Sequence, residues 1–193
     1  MTTLDETDYF TIRHIPHKTL GTHLLVGVHF PSKSYANDSD YNAMAQLLKQ
    51  SIEKAERTTK DCKTVVVGDF NMNPFEEAMV AAYAMHSVSD RNMALKGSRI
   101  VRSQSYTMFY NPMWNLLGDA AKPSGTYFYP RSGQLTYFWN VFDQVIIRPL
   151  LMDNFIIDSL KIIETIGTFP LVDKNKRPDK SITDHLPIFF EIK

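Results

Sequence analysis

The 193-residue chain has a single cysteine, Cys62, so no disulfide can form within it, which fits a reducing compartment. It has no excess of either charge: 21 Lys and Arg balance 21 Asp and Glu. That excludes the overall basic excess of a protein that lives on nucleic acid, although charge can still segregate into a local groove. No apolar run approaches the roughly 20 residues needed to span a bilayer. The opening MTTLDETDYF is polar and acidic, without the apolar centre of a signal peptide. The expectation is a cytoplasmic protein with no transmembrane segment. There is also no internal repeat, low-complexity tract or break in composition, so residues 1–193 are expected to form one domain.

Hydrophobic residues make up 44% of the chain and charged residues 22%, an ordinary balance for a chain that buries a core. YFTIRHI (9–15) alternates polar and apolar residues, and HLLVGVHF (23–30) is nearly all apolar; both read as strands, with a hairpin connection between them. Asp38, Ser39 and Asp40 offer N-cap oxygens to a helix of about four turns. In that helix Met44, Leu47, Leu48 and Ile52 fall at helical spacing, with Lys49, Glu53, Lys54 and Glu56 on other faces. TVVVGDF follows as a return strand, so strand, helix and strand predict a crossover unit. Asn73, Pro74, Glu76 and Glu77 read as the start of a second helix. From about 90 to 124 the chain reads as irregular. GTYFYP, NVFDQVIIRP, FIIDSLKII and PIFFEIK read as further strands, the last after the polar loop DKNKRPDKSITDH. The pattern is mixed α and β, with strands dominating the core.

Four places carry polar groups where a buried strand favours none. Asp69 and Asn71 lie two apart after TVVVG, so both point to one side of the strand end; the segment reads either as a turn or as a delivered polar pair. His29 ends LLVGVHF and reads as a core histidine or a functional one. Asp143 interrupts an apolar strand, either facing water at an edge or needing a cation or donor such as a histidine. Asp184 and His185 precede the last strand and read as a turn or as two groups at one rim. All four places sit at or near strand ends, where clefts are commonly furnished.

In order and spacing, VGVHFPS, VVVGDFNMNP, GTYFY, FDQVIIRP and ITDHLPIFFEI resemble the C-terminal two-thirds of the endonuclease/exonuclease/phosphatase (DNase-I-like) superfamily. The resemblance implies an α/β (α+β) fold, a four-layer αββα sandwich. It also implies a phosphoesterase that directs water onto a phosphodiester or phosphomonoester with the help of Mg²⁺ (or Mn²⁺). By the same resemblance His185 is the central histidine, Asp143 pairs with it and orients it, and His29 lies near the phosphate or its leaving group. Asp69 and Asn71 contact the reacting phosphate, and Asp184 and Asp69 stand near the metal.

The chain also departs from that pattern. Family members begin with a strand bearing an Asn and a strand ending in Gln-Glu, and no Gln-Glu pair occurs here. The expectation is an incomplete sandwich whose N-terminal strands are missing: a fragment, a chain completed by a partner, or one that assembles with itself. The alternative to an enzyme is an inactive member acting as an interaction or structural module. The substrate is expected to be a phosphate ester, nucleic acid or small molecule. Tyr127, Tyr129, Tyr137 and Trp139 read as cleft aromatics or as packing, and Lys122, Arg131 and Arg148 as phosphate contacts or solvated charges.

Overall fold

The computed structural model describes residues 1–120, 123–131 and 133–193. Strands β1 (Thr2–Glu6), β2 (Phe10–His17) and β3 (Gly21–His29) run as an antiparallel meander. Helix α1 (Asp38–Thr59) crosses over to β4 (Thr64–Asp69), which lies parallel to β3 as the crossover pattern predicts. A short α2 (Glu77–Val80), β5 (Ser87–Val88), α3 (Arg91–Ala94), a hairpin of β6 (Ser98–Val101) with β7 (Gln104–Thr107), and β8 (Phe109–Tyr110) follow. β9 (Tyr127–Phe128) pairs with β10 (Trp139–Asn140), and β11 (Asp143–Ile147) enters the main sheet beside β4. β12 (Phe155–Ile162), the small pair β13 (Thr165–Ile166) and β14 (Phe169–Pro170), and β15 (Ile188–Ile192) complete the described chain.

The main sheet has the order β1-β2-β3-β4-β11-β8-β5. Its central strands are apolar on both faces because both faces are covered. Ile12, Leu24, Val26, Val66 and Ile146 pack toward α1, whose Tyr41, Ala45, Leu48 and Ile52 meet them. Val65, Val145 and Ile147 point the other way, into a second cluster with Phe155, Leu160 and Phe190 of the antiparallel β12–β15 ribbon. The layers are therefore helix, sheet and ribbon.

Several local expectations change. The acidic head forms β1, an edge strand whose polar residues suit its exposed position and whose Glu6 meets Arg13 at 3.1 Å. The cap of α1 is Asn37, one residue before the expected Asp38, with Asp40 closing a capping box. The second helix is only Glu77–Val80, and Asn73 caps nothing. Its carboxamide is drawn instead to Asn140 (2.9 Å) and to the backbone N–H of Val141 (2.9 Å). The stretch read as irregular contains α3 and β5 to β8.

The largest correction concerns charge. Lys49 and Glu56, expected on faces other than the apolar one, are buried, and so is Arg148, which read as a phosphate contact or a solvated charge. Arg148 donates two hydrogen bonds to the Glu56 carboxylate, at 2.8 and 2.9 Å, and its guanidinium stacks 3.9 Å from the Phe109 ring centre. Thr64 adds a third donor to Glu56 at 2.6 Å. Lys49 Nζ donates to the carbonyl of Thr107 at 2.8 Å, while burial pulls its pKa down to about 8. Arg148 is thus a structural side chain remote from any phosphate role. Removing one partner leaves an uncompensated buried charge, so Glu56→Gln is expected to cost about 3–5 kcal/mol in urea unfolding. The double variant Glu56→Leu/Arg148→Met is expected to recover most of that loss; equal or greater destabilisation would contradict the assignment.

Candidate functional site

Three neighbouring strands end in one row. In the parallel register of β3 and β4, His29 lies opposite Asp69. In the antiparallel register of β4 and β11, Asp143 lies opposite Asp69 from the other side. The ladder continues past the strand ends, with Phe30 N–H donating to Asp69 O and Phe70 N–H to Phe142 O, both at 2.9 Å. Gly68 makes this approach feasible: its φ is +147°, and a Cβ there would sit 2.0 Å from the Val28 carbonyl oxygen.

His185 reaches the same row from the polar loop before β15. Leu186 N–H donates to Thr126 O at 2.8 Å, and His185 forms an isolated bridge with Tyr127. The Tyr127 ring lies 4.8 Å from the imidazole. Buried Thr126 also braces the opposite partner, its hydroxyl accepting from the N–H groups of Phe142 (3.1 Å) and Asp143 (3.2 Å). His185 Nδ1 and Asp143 Oδ2 are then 2.8 Å apart, with Asp69 Oδ2 at 4.0 Å. A carboxylate at that distance holds the hydrogen on Nδ1 and leaves Nε2 available to the cleft.

Asn71 sits in the left-handed region (φ 51°), a conformation Asn tolerates. Its backbone N–H donates to Asp69 Oδ1 at 2.8 Å, and its carboxamide donates to Asp69 Oδ2 (3.0 Å) and Phe30 O (2.8 Å). Burial pushes the Asp69 pKa up, and the Asn71 N–H only partly opposes this. Burial pulls His185 down, but the Asp143 bond and the charges of Asp143, Asp69 and Asp184 outweigh it, so its pKa is raised.

The row opens into a cleft of about 900 Å³, which His29, Asp69, Asn71, Asp143, Asp184 and His185 all line. The six predicted positions therefore share one cavity. Asp184 is exposed on the wall, while Asp69, Asp143 and His185 bring ligand-type atoms within 4.8 Å of one another. Tyr127, Tyr129 and Tyr137 line the cleft; Trp139 and Arg131 are not among its lining residues, and Lys122 lies outside the described residues. Sequence reasoning missed Ser32 and Lys33, which reach the cleft from the segment after β3, and Asp38, the first residue of α1. For Ser32 and Lys33 the signal was adjacency to His29, since residues just past a strand end share its rim. Lys33 is tethered by an ion pair with Glu76 and lies 5.9 Å from the centre of the Phe142 ring.

No family model and no curated protein matches the sequence. Solved structures do match the fold. An endonuclease/exonuclease/phosphatase family protein from Bacteroides thetaiotaomicron superposes with a TM-score of 0.54 at 17% identity, covering 95% of this chain and 55% of its own. The human Nocturnin catalytic domain with bound sulfate gives 0.52 at 13% identity over 97% of this chain and 54% of its own. D. rerio TDP2 complexed with a single-strand DNA product gives 0.52 at 13% identity, over 95% and 61%. The fold is therefore the DNase-I-like fold of the endonuclease/exonuclease/phosphatase proteins. The chain spans little more than half the length of the structures it matches.

The imidazole makes a direct test. With a folded pKa raised above 6.5, His185 contributes stability that is complete below pH 6.5 and lost as pH rises through the folded value. In Asp143→Asn, burial dominates, and the pKa read by NMR in metal-free buffer is expected to fall below that of the parent chain. An unchanged titration would show that Asp143 does not hold the ring.

Proposed function

We propose that the cleft is the reaction centre of a metal-dependent phosphoesterase, hydrolysing a phosphodiester or phosphomonoester with activated water. The observation that carries this reading is the convergence of two histidines and three aspartates in one cavity at the ends of β3, β4 and β11. The fold likeness supports the same class, and the whole protein's activity is proposed for this chain with whatever completes it.

His185 accepts the proton of the attacking water at Nε2, and Asp143 holds the resulting imidazolium at Nδ1. The same Asp143 contact that raises the His185 pKa stabilises the imidazolium formed once the proton is taken up. His29, exposed at the end of β3, stands on the opposite side of Asp69 and supplies a proton to the departing oxygen. Asn71 acts through Asp69, since its donors are already spent on that carboxylate and on Phe30 O.

The donor set fits a hard divalent cation. Asp69 is a half-buried carboxylate short of positive compensation, with Asp143 beside it and Asp184 on the cleft wall, and oxygen ligands suit Mg²⁺ or Mn²⁺. Asp69 and Asp184 would hold the ion, which polarises a phosphoryl oxygen when bound. The proposed setting is the cytoplasm, in line with the unpaired cysteine. No helix among the described residues is long and apolar enough to cross a membrane. Among the described residues the β12–β15 ribbon has only two strands and leaves Ile157 and Phe189 each 43% exposed, which supports completion by strands of a partner or a second copy.

A second reading, an inactive interaction module, is favoured by one feature: the acids among the described lining residues are all Asp, with no Glu. The two separate in one assay of the full-length protein with excess Mg²⁺ or Mn²⁺ on a nitrophenyl phosphodiester. Hydrolysis that chelator abolishes and that His185→Ala lowers by about 10²-fold or more is the expected result. Turnover unchanged in His185→Ala would refute the assigned base, and absence of turnover in the parent protein would favour the module.

A further inference from the structure

Formal charge sums to zero over the chain, yet it is unevenly spread. The loop after β14 carries Lys174, Lys176, Arg177 and Lys180, all exposed. Among the described residues none of the four makes an ion pair. Of the three acids of this loop, Asp184 lies exposed on the cleft wall, and the other two are turned into the loop itself. Asp173 Oδ1 accepts from the N–H groups of Asn175 (2.7 Å) and Arg177 (3.0 Å), and Asp179 Oδ1 from the N–H (3.0 Å) and hydroxyl (2.7 Å) of Ser181. What the loop presents outward is therefore mainly positive.

Two of these cations are held against aromatic rings of β9. Arg177 Cζ lies 4.2 Å from the centre of the Phe128 ring, and Lys180 Nζ lies 6.0 Å from that of Tyr127. Tyr127 also lines the main cleft, whereas Phe128, Arg177 and Lys180 line a neighbouring open depression of about 240 Å³. The cleft wall continues through Tyr129 and Tyr137, which are 41% and 49% exposed. Exposed tyrosine rings beside a cavity offer flat amphipathic faces on which a planar group can stack. Cations that track a backbone, interleaved with rings that accept planar bases, are the combination that holds single-stranded nucleic acid. An anionic membrane would use the cations but has no planar group to place on the tyrosines.

We propose that Arg177 and Lys180, with Tyr129 and Tyr137, form a binding strip for single-stranded nucleic acid that leads its phosphates into the His185 cleft. Naming that strand as the substrate rests on the phosphoesterase reading; the binding strip itself does not.

The test uses fluorescence anisotropy of a labelled oligo(dT) strand with the full chain, in chelator so that binding is read without hydrolysis. Arg177→Ala/Lys180→Ala is expected to weaken binding about 10-fold and to flatten the salt dependence, by roughly 0.7 in slope for each lost contact. Tyr129→Ala is expected to weaken it to a similar degree with the salt slope unchanged. Lys18→Ala/Lys54→Ala removes the same charge from exposed positions elsewhere and is expected to bind like the parent. The inference is overturned if the loop variant binds like the parent, if the control loses as much, or if vesicles rich in anionic lipid bind while the oligonucleotide does not. A nitrophenyl phosphodiester assay on the same preparation separates the two readings. Ester hydrolysis with loop-independent DNA binding sinks the strip alone, whereas loop-dependent DNA binding without hydrolysis sinks the phosphoesterase alone and leaves the strip standing.

Discussion

The bond between His185 and Asp143 depends on two segments, 42 residues apart in sequence, being fixed to the same strand end. β11 starts at Asp143 because it pairs with β4 in a register that ends at Asp69. The loop carrying His185 is pinned to Thr126, whose hydroxyl also fixes the backbone of Asp143. A slip of one residue in β11 would turn Asp143 to the opposite face and leave the imidazole without its carboxylate. The core prevents that slip, since Val145 and Ile147 face the ribbon while Ile146 faces α1. Packing and site geometry are thus one constraint.

Two kinds of charge coexist in this framework. The Glu56–Arg148 pair is sealed under α1 with matched donors and acceptors, and it serves the fold. The carboxylates of the cleft are crowded and incompletely compensated, which supports the proposed binding of a cation and a phosphate there. Zero net charge concealed both, together with the outward-facing basic loop beside β9.

Much of the site was legible because polar groups stood where a buried strand tolerates few. His29 and Asp69 end apolar runs and Asp143 interrupts one, and the structure places all three at strand ends, with β11 beginning at Asp143 rather than upstream of it. The crossover was legible for a similar reason, since the periodicity changes cleanly between LLVGVHF and α1. Other features gave no local signal. β1 is polar because it is an edge, so its sequence looks like a loop. Asn73 has the chemistry of a cap but is claimed by Asn140, a partner 67 residues away. Glu56 and Arg148 meet across 92 residues, and nothing near either one announces the other. In each case a long-range contact overrode a local preference.

The central claim is that residues 29 and 185 face one phosphate. Titrating the isotopically labelled chain with inorganic phosphate, while following the imidazole signals of His29 and His185 by NMR, tests it most directly. The account predicts that both signals shift along one binding curve and that added Mg²⁺ tightens it. Shifts confined to one histidine, or to neither, would contradict it.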